Sequence, residues 1–394
     1  MKKIALYILA AAAIFAGCSK KNIDTTPVNA EDAWMYDATL PVPIQFSAGN
    51  SSLTKAALIE SVGDMIGKKF GFFATNGNID DWSKSNLLDM PQNAVATVSA
   101  SDINGDLVRF KFDDGTYYYD QTSWDPYTFY AYHAQVSGRD EFGQTITQHS
   151  DSILVRADIG RTDILWGCAK AETLYDGEVS YEGFNARYIR NSSRLTGKTI
   201  QPTIKFKHMT ACVQFRAKTL APEYAENFAD ADELKIVSMY VDDAIVKHSL
   251  CIAHKTQPEK QGTFAKLKNV NLPAKGDLYV STDDEGANTA LNVVLNETAA
   301  EVGKPLFIHP GDEIKIVVEY QTNVNGTVKN FTSAYTLKPT VENGSVVNGF
   351  KAGYRYNYTL VVYSPERVVI EAQVDKYTSA FGEDVWVDVA PDNE

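Results

Sequence analysis

Cysteine is scarce in this chain: four occur in 394 residues, at Cys18, Cys168, Cys212 and Cys251. With Cys18 used at the N-terminus, the other three form at most one bridge, and their spacing matches no metal motif. A disulfide framework is thereby excluded, and stability has to come from packing. Basic residues are also short, 37 against 50 acidic ones, for a net charge of −13 that becomes −15 once a signal carrying two lysines is removed. Such a chain repels phosphate backbones, which excludes nucleic acid as a partner. Helical periodicity is missing, with no segment long enough to serve as a crossover helix between strands.

Catalytic signatures are missing as well. His133, His149, His208, His248, His254 and His309 are scattered, without a His-Glu-x-x-His pattern. Gly197-Lys198-Thr199 looks like the end of a phosphate loop, but Ser192 stands where the first glycine belongs. Neither Gly-x-Ser-x-Gly nor Gly-x-Gly-x-x-Gly occurs. The pairs Asp113-Asp114 and Asp242-Asp243 would face opposite ways on a strand, whereas glycoside hydrolysis needs two carboxylates facing each other. Asp102, Asn104 and Asp106 mimic a calcium loop, but Leu107 replaces its glycine and Asp113 its terminal glutamate. The expectation is a chain that is not an enzyme and holds neither cofactor nor metal.

What is present begins with a signal peptide over 1–17: Lys2 and Lys3, an apolar run from Ile4 to Phe15 too short to span a bilayer, and small residues before Cys18. These small residues resemble a bacterial lipobox, with Phe15 in place of the usual leucine, which makes Cys18 the lipidated N-terminus. More than one acyl chain there gives a stable anchor. Residues 18–40 read as a polar tether. In Pro41 to Ala57, Val42, Ile44 and Phe46 share one face of a period-2 pattern. Pro41 and Pro43 cannot donate ladder bonds, so this strand is expected at a sheet edge. A small, polar run leads from it to Lys55, where a trypsin-like protease would cut before Ala56.

With 21 Tyr, 18 Phe and 5 Trp, the chain can fill sizeable cores. The segment from Tyr117 to Tyr132 is dense in aromatics, either a sandwich core with a tyrosine rim or a platform for sugar. Asn104-Gly105 and Asn325-Gly326 mark hairpins. From Thr203 to Lys218 the apolar face moves from even to odd positions, which predicts a bulge near His208, itself read as a hydrogen-bonded structural residue. An acidic stretch without alternation, 219–233, reads as a linker. It divides an N-terminal β domain, 41–218, from a C-terminal one, 234–394. Short strands at turn-punctuated spacing imply an all-β fold of antiparallel sandwiches.

Several segments together resemble the fimbrillin family, lipoprotein pilin precursors and related surface proteins of Gram-negative anaerobes. They are the lipobox at Cys18, Ile44-Gln45-Phe46 before Thr54-Lys55-Ala56, and Phe129-Tyr130-Ala131-Tyr132. Asp163-Ile164-Leu165-Trp166, Phe206 to Ala211 and Ala352 to Leu360 complete the set. The resemblance implies two transthyretin-like antiparallel β-sandwich domains in tandem. It further implies proteolytic loss of the first strand, with Val42, Ile44 and Phe46, and its replacement by a C-terminal strand of the next subunit. Candidate donors are Val368, Ile370, Ala372 and Val374, or Val385, Val387 and Val389. The implied partners are other copies or related pilin subunits, a processing protease, the outer membrane through lipid, and a host protein or glycan. Oral members look to an arginine-specific protease, but the first arginine here is Arg109, so a lysine-accepting enzyme at Lys55, Lys68 or Lys69 is expected. The competing expectation is a lipid-anchored surface binder that does not polymerise.

Overall fold

In a computed structural model, the described residues are 30–49, 62–76, 80–82, 93–99, 107–122, 125–134, 146–169, 183–220, 231–265, 273–283, 287–324, 326–339, 341–342, 345–346, 349–364, 367–376 and 386–389. In chain order the first strands are β1 Phe46–Gly49, β2 Lys69–Asn76, β3 Ala94–Ser99, β4 Leu107–Phe112, β5 Tyr127–His133, β6 Ile146–Gln148, β7 Ser152–Asp158 and β8 Leu165–Ala169. Helix α1, Ala186–Thr196, precedes β9 Thr203–His208, β10 Ala211–Thr219, β11 Ala231–His254, β12 Thr263–Ala265, β13 Ala274–Tyr279, β14 Val293–Val294, β15 Ala300–Glu301 and β16 Leu306–Ile308. The chain ends with β17 Ile314–Val324, β18 Thr327–Leu337, β19 Val341–Glu342, β20 Ser345–Val346, β21 Tyr354–Ser364, β22 Arg367–Lys376 and β23 Trp386–Val389.

Alternating apolar residues build the first unit. On β4, Val108, Phe110 and Phe112 are buried while Arg109 and Lys111 are exposed, the period-2 signature of a strand with one face on a core. Seven strands close into a barrel in the order β1-β4-β3-β2-β5-β8-β9. An antiparallel sandwich was expected here. The sheet closes instead because β1 joins β4 antiparallel on one side and β9 parallel on the other. The barrel interior is aromatic: Phe46, Phe70, Phe72, Phe110, Phe112, Phe129 and Phe206 form one cluster.

The second unit is a sandwich. One layer is β15-β10-β21-β22-β23, with β16 also on β10; the other is β18-β17-β11-β7-β6, with β12, β13 and β14 also on β11. Inward side chains of β10, β21 and β22 meet those of β11 and β17 in a single core that includes Phe215, Tyr320, Tyr356 and Tyr358. The hairpin β17–β18 runs from Ile314↔Leu337 to Val324↔Thr327 and turns with Gly326 at φ 77, as Asn325-Gly326 predicts.

Four expectations need correction. Strand β10 was assigned to the first domain, but it pairs with β21 in parallel, from Cys212↔Arg355 to Thr219↔Val362, and with β15 and β16. The chain therefore passes from barrel to sandwich at Met209-Thr210, after β6 and β7 have already joined the layer of β11, and no cut at 219–233 separates the sheets, since Thr219 ends β10 and Ala231 already begins β11. The parity change in 203–218 is this passage from barrel to sandwich, with no bulge at His208. A helix was missed: in α1, Asn185 caps the N-terminus by accepting from Tyr188 N at 2.9 Å, and Gly197 at φ 65 ends it. Gly197-Lys198, read as a phosphate-loop mimic, is that helix end. The tether reading of 18–40 also shortens, because Ala30–Met35 forms a 3-10 helix whose Trp34 and Met35 are buried in the barrel core.

Candidate functional site: the seam closed by the opening strand

Residues 41–49 enter the barrel in two stages. Over Val42 to Ile44 the chain pairs on one side only: Tyr119 N donates to Val42 O at 3.0 Å, and Ile44 N donates to Tyr117 O at 2.8 Å. Pro43 falls in this stretch and Pro41 just before it, where a missing N–H breaks no second ladder. Past the prolines the strand is flanked on both sides. Phe46 to Gly49 pair with Phe110 to Leu107, and Ser47 and Ala48 pair with Thr203 and Ile204. The expected edge position is thus overturned for β1, though the proline rule holds where the prolines stand. Ser47 N also donates to Pro202 O at 3.1 Å, and the Ser47 and Thr203 hydroxyls lie 3.1 Å apart.

Val42, Ile44 and Phe46 are all buried, and Ala48 extends the same alternation. The Phe46 ring stacks on Phe72 at 4.7 Å and meets Phe129 and Phe112 edge-on at 4.8 and 5.9 Å. A guanidinium fastens the segment upstream. Arg190, on α1, donates through Nε to Trp34 O at 3.0 Å and through Nη2 to Leu40 O and to Gln121 Oε1. Partial burial lowers the Arg190 pKa, opposed by the charge of Asp37. The Asp37 carboxyl is itself held below its usual range by hydrogen bonds from Thr39 Oγ1 and N. Thr199 Oγ1 adds a bond to Asp32 Oδ1 at 3.0 Å. Sequence reasoning missed Trp34, Met35 and Arg190. The Trp-Met pair inside a polar stretch was the available signal, while nothing local marks Arg190.

Cys18, Lys55, Ala56, Val385 and the calcium-like Asp102, Asn104 and Asp106 lie outside the described residues. Val368, Ile370 and Ala372 are buried in β22, which lies between β21 and β23. That strand is a structural part of its own sandwich core. Val374 belongs to the same strand. Val387 and Val389 belong to β23, which pairs with β22 over four residues at the edge of its sheet. In the aromatic band, Tyr119, Tyr127, Phe129, Tyr130 and Tyr132 are buried and Tyr118 is exposed, so the band is core with a narrow rim. His208 Nδ1 pairs with Asp163 Oδ2 at 2.6 Å in the interior, the structural hydrogen bond expected of it.

No protein-family model matches the sequence, and no curated protein matches it. Solved structures similar to the chain include a candidate cell adhesion protein from Bacteroides uniformis, 13% identical with a TM-score of 0.45, over 86% of this chain and 99% of that one. A candidate cell adhesion protein from Parabacteroides distasonis is 12% identical with a TM-score of 0.43, over 87% and 98%. The fimbrial anchor protein Mfa2 from Porphyromonas gingivalis is 11% identical with a TM-score of 0.33, over 86% and 98%. These cell adhesion and fimbrial proteins are what the chain is similar to.

Proposed function

We propose that this chain is a pilin-type structural subunit with no catalytic role. It is exported as a precursor lipidated at Cys18, held at the outer membrane surface, and assembled into an adhesive fimbrium by exchange of β1. In this reading the barrel and the sandwich are the two transthyretin-like units, with β1 joining the layers of the first. The observation that carries it is the seam: Val42, Ile44, Phe46 and Ala48 fill a core between β4 and β9, and the β9 side is joined over only two residue pairs. Removing the segment leaves a groove with a free ladder on each side. Refilling it buries apolar surface worth on the order of 5–9 kcal/mol for three large side chains, an upper bound. Strand addition supplies register as well as affinity. The donor that suits the topology is β23, because an edge strand leaves its sheet without dividing it. Repeated head to tail, the contact is open-ended and makes a fibre.

Cleavage is assigned to Lys55. Lys68 and Lys69 are poor substrates, since Lys68 N bonds to Met65 O and Lys69 is paired with Thr97 in β2 and bridged to Asp113 at 3.1 Å. The test is Lys55→Ala in the native host, reading the surface protein's N-terminus and its polymer state in non-reducing gels. A wild-type N-terminus at Ala56 with a polymer ladder, and an uncut monomer in the variant, is the expected result. Uncut monomer in both overturns the proposal.

A further inference from the structure

A cleft of 630 Å³ runs along the outside of the seam, between the incoming segment and β4. Its volume falls within the roughly 300–1,000 Å³ of small-molecule sites. Its lining is set by alternation. Val42, Ile44, Phe110 and Phe112 turn into the barrel, so Pro41, Pro43 and Gln45 on one wall and Arg109 and Lys111 on the other are outward residues. Arg109 and Lys111 stand two residues apart on one face, a spacing of roughly 7 Å. In a chain with 50 acidic and 37 basic residues, no carboxylate among the described residues lines this cleft. Nor does any described carboxylate pair with either cation. Tyr118, 45% exposed, presents its ring at the rim, while Gln45, Gln201 and Thr116 add amides and a hydroxyl.

We infer that this cleft binds a carboxylated oligosaccharide. A guanidinium and an ammonium take carboxylates, the first with two parallel hydrogen bonds. The tyrosine ring offers an apolar face to a sugar ring, and the amides satisfy sugar hydroxyls, whereas an acidic peptide has no comparable ring face to offer. The site is also shared between two parts of the protein. Trp34, Leu40, Pro41, Pro43, Ile44 and Gln45 come with the segment that closes the barrel, and the cations come with the barrel. A ligand bound to both walls stabilises the closed form by mass action and is lost when the segment leaves.

Titration of the uncut chain with trigalacturonate tests the binding without reference to assembly. Maltotriose serves as the neutral control and pentaglutamate as the acidic peptide. Trigalacturonate is expected to bind with a Kd on the order of 1 mM or tighter, weakening with salt, and maltotriose about tenfold more weakly. The Arg109→Ala/Lys111→Ala double variant and Tyr118→Ala should each lose about tenfold. All three side chains are exposed, so the fold is expected to survive, as far-UV circular dichroism checks. Absence of trigalacturonate binding, binding indifferent to these variants, or equal binding of pentaglutamate overturns the assignment. A second arm rests on the removable segment: after limited trypsin cleavage, ligand at ten times Kd should slow release of the N-terminal fragment about tenfold. An unchanged release rate overturns the coupling and leaves the binding result standing by itself.

Discussion

Phe46 is the side chain on which the barrel's closure depends most. Its ring touches those of Phe72, Phe112 and Phe129, which come from three different strands, so truncation leaves a cavity that no single neighbour can fill. Phe46→Ala should cost about 3–5 kcal/mol, read as a shift of the denaturant midpoint at constant slope. His133 sets a pH limit on the same barrel. It is buried and donates through Nδ1 to Lys69 O at 2.7 Å, and burial lowers its pKa from 6.5 to about 4. The folded pKa lies below the unfolded one, so the native state favours the neutral ring. That contribution is complete above about pH 6.5 and fades as pH falls towards 4, by roughly 3 kcal/mol. His133→Phe should flatten the fall of Tm between pH 6.5 and 4; an unchanged slope would assign the acid sensitivity to other groups.

At the scale of elements, the segment 30–49 behaves as one unit because Arg190 ties its 3-10 helix and Leu40 to α1, while β1 supplies the ladder. Arg190→Ala removes donors from two backbone carbonyls at a cost of about 1–3 kcal/mol. Hydrogen exchange should report faster exchange across residues 33–47 with β3, β5 and β8 unchanged. Uniform loss of protection would instead mean that the helix serves the whole barrel. The strands themselves were legible, since alternation in 354–362 and 108–112 and the Asn325-Gly326 turn are local signals with local causes. The helix was not, because ARYIRNSSRLT is polar outside Ala186, Tyr188, Ile189 and Leu195, and its start depends on a cap at Asn185 that only the folded backbone completes. The prolines were read correctly and the edge wrongly. They mark where pairing is one-sided, but β1 gains its second partner from Ser47 on, past the prolines, from Thr203 and Ile204, far along the chain.

The whole molecule shows why the domain boundary could not be read from composition. The acidic stretch after Thr219 loses alternation, yet the chain has already changed sheets at Met209-Thr210, a step visible only through β10's partners in β16 and β21. Strand β11 then runs back along both units. Its first half pairs with β17 over the sandwich core, and its last eight residues pair with β7, from Lys247↔Asp158 to His254↔Ser152. There Leu250, Ile252 and Ala253 pack with Tyr130, Tyr132 and Trp166 on the barrel's outer side, and Trp166 Nε1 donates to Ile252 O at 2.9 Å. A fragment spanning 41–218 would therefore carry β10 without its sandwich, exposing Ala211, Val213, Phe215 and Ala217, and β7 without β11. It is expected to bind a hydrophobic dye and to lack a cooperative melt, while the full chain melts in a single calorimetric transition whose van't Hoff and calorimetric enthalpies agree. A cooperative, dye-silent fragment would mean that β11 merely rests on the barrel. Dye binding by the fragment alone would place the interlocked strand at the centre of the protein's stability and leave the 30–49 segment as the part free to be exchanged.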